Sequence, residues 1–347
     1  MKSIGIICEY NPFHNGHIYH INKIKEMFPD SVIILVMSGN FTQRGDASII
    51  NKWNKTKIAL NHNIDLVVEL PFIFTNQSAD TFAFGACSIL NYLKVDYLIF
   101  GSESDNIDYI KNIVNIEDDK KYQEKVKELL DNGINYPTAL SKALKRLNSK
   151  IIPITIKRTN NYNDKTLTKY ITSATSIREN INKRNIKKYV PKDTYKCLKE
   201  KKYFIEDYYP LLKYKIMSEI NDLNKYNDVN EGIENRIKKV IYESNSYDEL
   251  IMNIKSKRYT YSKIKRILLN ILVGFTKEDK EKNKKISYIR VLGFNKNGKN
   301  YLNKIKKECT IPIYTNFNKD LEYELKVTSI YDESLIKEEI KNIIICD

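Results

Sequence analysis

Residues 3–27 read SIGIICEYNPFHNGHIYHINKIKEM, and this stretch decides the fold. Ser3 to Cys8 is a short apolar run bounded by polar residues, the pattern of a buried strand. Glu9 to Gly16 is a polar loop with a proline and a glycine. From about His17 to Met27, apolar residues recur at helical spacing. Strand, loop and helix in that order open a parallel α/β sheet. The same alternation continues outward. Val32 to Met37, Asp65 to Leu70, Asp96 to Phe100 and Ile151 to Ile156 read as further strands. Trp53 to Leu60 and Ala79 to Tyr92 read as helices between them. In such sheets ligands sit beyond the carboxyl ends of the strands. The loops after Cys8, Met37, Leu70 and Phe100 therefore mark one functional edge.

Past residue 180 the pattern changes. Glu206 to Leu223, Asn230 to Ser244 and Tyr261 to Leu272 are amphipathic and helical, and Ile286 to Phe294 and Cys309 to Tyr314 could add strands. The expected organisation is a Rossmann-like parallel-sheet domain over 1–180 and a mainly helical domain over 181–347. Charge follows the same division. Residues 1–180 carry a net +3 and residues 181–347 a net +12 of the total +15. A compositional bias would spread evenly, so the second half reads as the part that grips a polyanion such as RNA. Lys257, Arg258, Lys263, Lys265 and Arg266, interleaved with Tyr259 and Tyr261, suit phosphate contact and base stacking, and a solvated helix face accounts for them almost as well. Tyr288 and Arg290 read the same way, whereas Trp53 reads as core.

The five cysteines have no CxxC spacing, which excludes a zinc ribbon or a disulfide framework. No window approaches 18 apolar residues and no signal-peptide cleavage site follows the first strand. The expectation is a cytoplasmic protein with no membrane span.

Three of the four histidines, His14, His17 and His20, fall within seven residues. Surface histidines and a metal site are both open readings. Their position after a buried strand and around Gly16 favours a third: imidazoles at a helix N-terminus that donate to a nucleotide phosphate. Ser173-Ala174-Thr175-Ser176-Ile177-Arg178 looks like a second anion-binding helix start, though alone it is an ordinary N-cap.

The two motifs together resemble the nucleotidylyltransferase superfamily, with its HxGH loop and its later Ser/Thr-containing loop ending in Arg. GIICEYNPFHNGHIYH (5–20), DLVVELPF (65–72), FGSES (100–104), YITSATSIREN (170–180) and YIRVLGF (288–294) narrow the resemblance to the tRNA(Met) cytidine acetate ligase family. The resemblance implies activation of acetate by ATP and acetylation of the wobble cytidine of elongator tRNA(Met) to N4-acetylcytidine, with AMP and pyrophosphate released. It implies His14, His17, Ser173 and Arg178 as catalytic. It implies that ATP lies against Ile7, Cys8, Glu9, Tyr10, Asn11, Pro12, Phe13, His14, Asn15, Gly16, His17, Ile18, Tyr19 and His20, and against Gly101, Arg158 and Thr159. Ser38, Gln43, Arg44 and Asp80 would face acetate or cytidine, with plain loop roles equally open. No residue is assigned to a protein-held metal, and magnesium would come with the ATP. The family's Pro-Asn-Asn-Ile-Leu segment has no counterpart, since residues 135–144 run directly into 145–158. Two rival functions stay open: adenylylation of a small phosphate-bearing acceptor, and RNA binding without catalysis.

Overall fold

The computed structural model describes residues 1–102, 105–108, 135–158, 171–341 and 343–346. Its centre is one eight-stranded sheet: β1 (Ser3–Cys8), β2 (Val32–Ser38), β3 (Leu66–Leu70), β4 (Tyr97–Ser102), β5 (Ile152–Lys157), β6 (Ile289–Phe294), β7 (Ile313–Tyr314) and β8 (Ile344–Ile345). The spatial order is β5-β4-β1-β2-β3-β6-β7, with β8 also paired to β6. β1 to β5 pair in parallel, so their carboxyl ends share one edge. β6 runs antiparallel to β3. The sheet is therefore finished by residues far beyond position 180, and that position does not separate sheet from helices.

In the first part, α1 (Asn15–Met27), α2 (Lys52–Asn61), α3 (Phe72–Thr75), α4 (Ala79–Tyr92), α5 (Asn135–Arg146), α6 (Ala174–Glu179) and α7 (Lys192–Glu200) alternate with the strands. One apolar layer packs residues of α4 and α5, with Tyr301, Leu302 and Ile305, on one sheet face. The other layer packs residues of α1, α2 and α7 on the opposite face. Strands covered on both faces must be apolar throughout, which is why β2 reads VIILVM without alternation.

A helical unit follows: α8 (Tyr209–Ser218), α9 (Ile233–Val240), α10 (Tyr247–Ile254), α11 (Tyr261–Val273) and α12 (Lys277–Lys282). α13 (Lys296–Ile305), α14 (Glu322–Tyr331) and α15 (Ile336–Ile340) then accompany the return to the sheet. The third core belongs mainly to this unit, yet Phe41 and Ala47 from the loop after β2 and Phe72 of α3 are buried in it. Phe41 meets Phe72 at 6.0 Å and Tyr331 at 5.5 Å between ring centroids. Each buried ring contributes on the order of 2–3 kcal/mol. The helical unit is thus anchored at the carboxyl edge of the sheet, where a ligand would lie.

Under this edge lies a buried charge network. Lys52 Nζ donates to both Glu69 carboxylate oxygens (2.8 and 3.0 Å) and to Glu339 Oε1 (2.8 Å). Arg290 pairs with Glu69 at 3.2 Å and with Glu339. Gly39 is required here, because a Cβ would stand 2.4 Å from Glu69 Oε1. Among the described residues no helix is long and apolar enough to cross a membrane.

Candidate active site

α1 begins at Asn15, two residues before the apolar periodicity, because His14 caps it. His14 Nδ1 accepts from the Gly16 N–H at 3.0 Å, and the His14 N–H donates to His17 Nδ1 at 3.2 Å. The rings lie 3.8 Å apart with 31° between their planes. A Cβ on Gly16 would stand 2.8 Å from His14 Cε1, so the glycine makes room first of all for the imidazole itself. In both rings Nδ1 is an acceptor. This hydrogen-bond pattern assigns the neutral tautomer with hydrogen on Nε2. Each ring therefore keeps one N–H donor, Nε2–H, that the helix cap does not use.

Burial, then the nearby Arg178 and Arg158 guanidiniums, pulls His14 down to about 3. Burial holds His17 well below the usual histidine value, and His20 falls to about 4 from burial and Arg158. The cluster is thus neutral at pH 7, with arginine charge beside it. His20 Nε2 is buried with no hydrogen-bond partner among the described residues.

The loop between β1 and α1 is held from several sides. Tyr10 has φ +49°, a strained conformation for a bulky residue. Its ring packs on Phe13 at 4.7 Å and on His17 at 4.6 Å. The Asn11–Pro12 bond is cis. Asn11 Oδ1 accepts from the Ile49 N–H at 2.8 Å, and the Asn11 carbonyl accepts from Arg178 Nη1 at 2.6 Å. Asn15 Nδ2 donates to the Lys188 carbonyl at 2.8 Å. Ser173 caps α6 by accepting from the Ser176 N–H at 3.0 Å. Across the edge, a Cβ on Gly101 would stand 3.0 Å from Arg158 Nε, so the Arg158 side chain lies along β4 beside Cys8 and the histidines. The structure therefore brings His14, His17, His20, Arg158, Arg178 and Gly101 to one edge. Ile7 and Phe13 are core, Ile18 and Tyr19 pack partly against it, and Thr159 lies outside the described residues. Cys8 is pushed up to about 12 by burial and is no nucleophile.

Residues 1–150 and 141–343 match the model of the HIGH Nucleotidyl Transferase family. A Clostridium novyi (strain NT) protein described as a tRNA(Met) cytidine acetate ligase is 40% identical to this chain, with 98% of the chain and 96% of that relative covered. The chain belongs to the tRNA(Met) cytidine acetate ligase family. A family member from Caldicellulosiruptor saccharolyticus is 39% identical over 95% of the chain and 94% of its own length. The crystal structure of Thermotoga maritima TmcAL bound with alpha-thio ATP superposes with a TM-score of 0.83 at 30% identity, covering 98% of this chain and 92% of that one.

Two features of this family member were not legible beforehand. Lys55 is fully buried, and its Nζ donates to the carbonyls of Glu9 (3.0 Å), Ser38 (3.0 Å) and Gly39 (2.9 Å), tying the loops after β1 and β2 together. Glu9 Oε1 accepts from the Gln43 N–H at 2.6 Å. Nothing local in the sequence hints at either. Of the residues expected near acetate or cytidine, Ser38 is buried with no partner for its hydroxyl among the described residues, Gln43 donates to the Gln77 carbonyl at 2.6 Å, and Arg44 and Asp80 are exposed.

The expected RNA contacts divide. Lys257 and Tyr261 are exposed. Arg258 and Lys263 both pair with Glu231, Lys265 pairs with Asp46, and Tyr259 is buried, donating to the Glu231 carbonyl. Arg290 is no phosphate contact. It lies buried on β6 inside the Glu69–Glu339 network, because β6 pairs with β3 and carries its arginine opposite Glu69.

Proposed function

We propose that this chain activates acetate with ATP and acetylates the wobble cytidine of elongator tRNA(Met), in the cytoplasm where that tRNA is used. The observation that carries the reading is the pair of imidazoles whose Nδ1 atoms are spent on the start of α1 and whose Nε2–H donors are not. A serine or aspartate would cap the helix as well. Imidazole adds a fixed neutral donor for charge that develops on an α-phosphate.

An acetate oxygen attacks the α-phosphorus in line, pyrophosphate leaves, and acetyl-adenylate forms. His14 and His17 donate to the α-phosphate oxygens. Arg158 and Arg178, with Ser173 at the start of α6, hold the leaving pyrophosphate. The cytosine N4 then attacks the acetyl carbon and AMP leaves. No covalent enzyme intermediate is needed, so positioning and electrostatics carry the chemistry. Among the described residues no group of three or more His, Cys, Asp or Glu is placed to hold a metal. Magnesium, where used, would arrive on the ATP phosphates, and no protein ligand set is assigned to it. Residues 1–180 would supply the nucleotide site. Residues 181–347, with their +12, would grip the tRNA while also completing the sheet.

Acetate-dependent exchange of pyrophosphate into ATP tests the first step. Exchange that requires acetate supports the reading. Exchange with a small phosphate-bearing acceptor instead would favour the rival adenylyltransferase, and ATP binding without any exchange would leave RNA binding alone.

A further inference from the structure

An ATP-binding loop gains nothing from a carboxylate near the phosphates, yet this one carries Glu9. One of its oxygens is explained: Oε1 accepts the Gln43 N–H at 2.6 Å and joins the loop after β1 to the loop after β2. Oε2 accepts no hydrogen bond from any described residue. The loop after β2 reaches the basic helical unit directly. Gly45, at φ +82°, lies so close to α11 that a Cβ would stand 2.6 Å from the Lys265 carbonyl carbon. Glu9 thus stands at the seam between the histidine loop and the unit proposed to bring tRNA. We propose that Glu9 is the base that takes the proton from the attacking cytosine amine in the acetyl-transfer step.

This rests on the acetate-ligase reading above. The exocyclic N4 is a weak nucleophile, because its lone pair is delocalised into the ring. It must lose a proton as the new bond forms. In the step, N4 forms a bond to the acetyl carbon. The bond from that carbon to the phosphate oxygen breaks, and AMP leaves with the electron pair. The N4 proton passes to the Glu9 carboxylate and then to solvent. The other groups at the edge are poorly suited. His14 and His17 present N–H donors, their Nδ1 lone pairs being occupied. The Lys55 ammonium is committed to three carbonyls. His20 lies a turn further along α1, where it feels Arg158. Glu9 feels Lys55, Arg178 and Arg44. Burial raises the Glu9 carboxyl above the usual carboxylate range, opposed by the Gln43 N–H hydrogen bond and by Lys55, Arg178 and Arg44. A carboxylate whose proton affinity is raised is a stronger base than a free one.

The test uses the full-length protein with ATP, acetate and elongator tRNA(Met), comparing single-turnover acetyl transfer with acetate-dependent pyrophosphate exchange across acid to neutral pH. Glu9→Gln keeps an oxygen for the Gln43 N–H. It is expected to slow transfer by about 100-fold or more, at least ~10-fold beyond any loss in exchange, and to abolish the rise of transfer rate with pH. Glu9→Asp, one methylene shorter, is expected to keep that rise at a lower rate. Transfer by Glu9→Gln within about threefold of wild type, equal losses in both half-reactions, or a retained pH rise would each overturn the proposal alone. A wild-type protein without acetate-dependent exchange would overturn the reading beneath it.

Discussion

His14 and His17 each do two things with one ring. His17→Ala removes one Nε2–H donor and the acceptor for the His14 N–H. It is expected to lower acetate-dependent exchange by about 100- to 1,000-fold, with the fold retained. Steady-state exchange and a denaturant melt on the same sample check this, and exchange within about threefold of wild type would contradict the assignment. The neutral state of the cluster has a consequence for stability. His14 and His20 sit at about 3 and about 4 in the folded protein and near 6.5 when unfolded. Between those values the unfolded chain binds protons that the folded one does not, so stability falls as pH drops below about 6.5. Each such histidine contributes at most ~1.4 kcal/mol per pH unit. Replacing His20 with Gln should flatten the fall in urea midpoint between pH 7 and pH 5. An unchanged slope would show that His20 takes up its proton in the fold. The histidine cluster was legible in the sequence because three of four histidines fall together. Its tautomers were not, since they depend on backbone N–H groups that only the helix start brings into reach.

The elements were legible where burial is two-sided or periodicity is local. β1 to β5 stand within two residues of their expected bounds, and α4 matches at both ends, because apolar runs and an uninterrupted helical stripe leave few alternatives. α1 was expected two residues late, because histidine is not among the favoured capping residues. β8, two residues long, carries no signal of its own. Arg290 suited phosphate contact or a solvated face in the sequence, because its partners Glu69 and Glu339 come from distant segments. The contact between the loop after β2 and α11 was equally hidden, and it makes a specific prediction. Gly45→Ala places a side chain at positive φ and against the backbone of Lys265 and Arg266. The conformational strain alone costs roughly 1–2 kcal/mol, and the overpacking about as much again. Urea unfolding should show a loss of about 2 kcal/mol or more, and tRNA acetylation should fall further than pyrophosphate exchange. A variant as stable as wild type would mean that this contact does not hold the two parts together.

At the scale of the molecule, sheet and helical unit share their functional edge. A fragment ending near residue 180 would strip β3 of its partner β6, so the roles of the two parts are best separated by charge in the intact chain. With +12 in residues 181–347, tRNA binding is expected to weaken steeply with salt. A grip on about four phosphates loses roughly fiftyfold in affinity between about 50 and 200 mM salt. ATP-dependent exchange, fixed by a buried cluster, should change far less over the same range. A flat salt response for tRNA would remove the helical unit from the interface. The central claim is that this edge makes acetyl-adenylate and passes the acetyl group to a tRNA cytidine. Nucleoside mass analysis of elongator tRNA(Met) incubated with the protein, ATP and acetate tests it most directly. The account predicts N4-acetylcytidine at the wobble position only when all three are present, formed at least about 100-fold more slowly with His17→Ala. Unmodified cytidine in the complete mixture, from protein shown to bind both ATP and the tRNA, would contradict it.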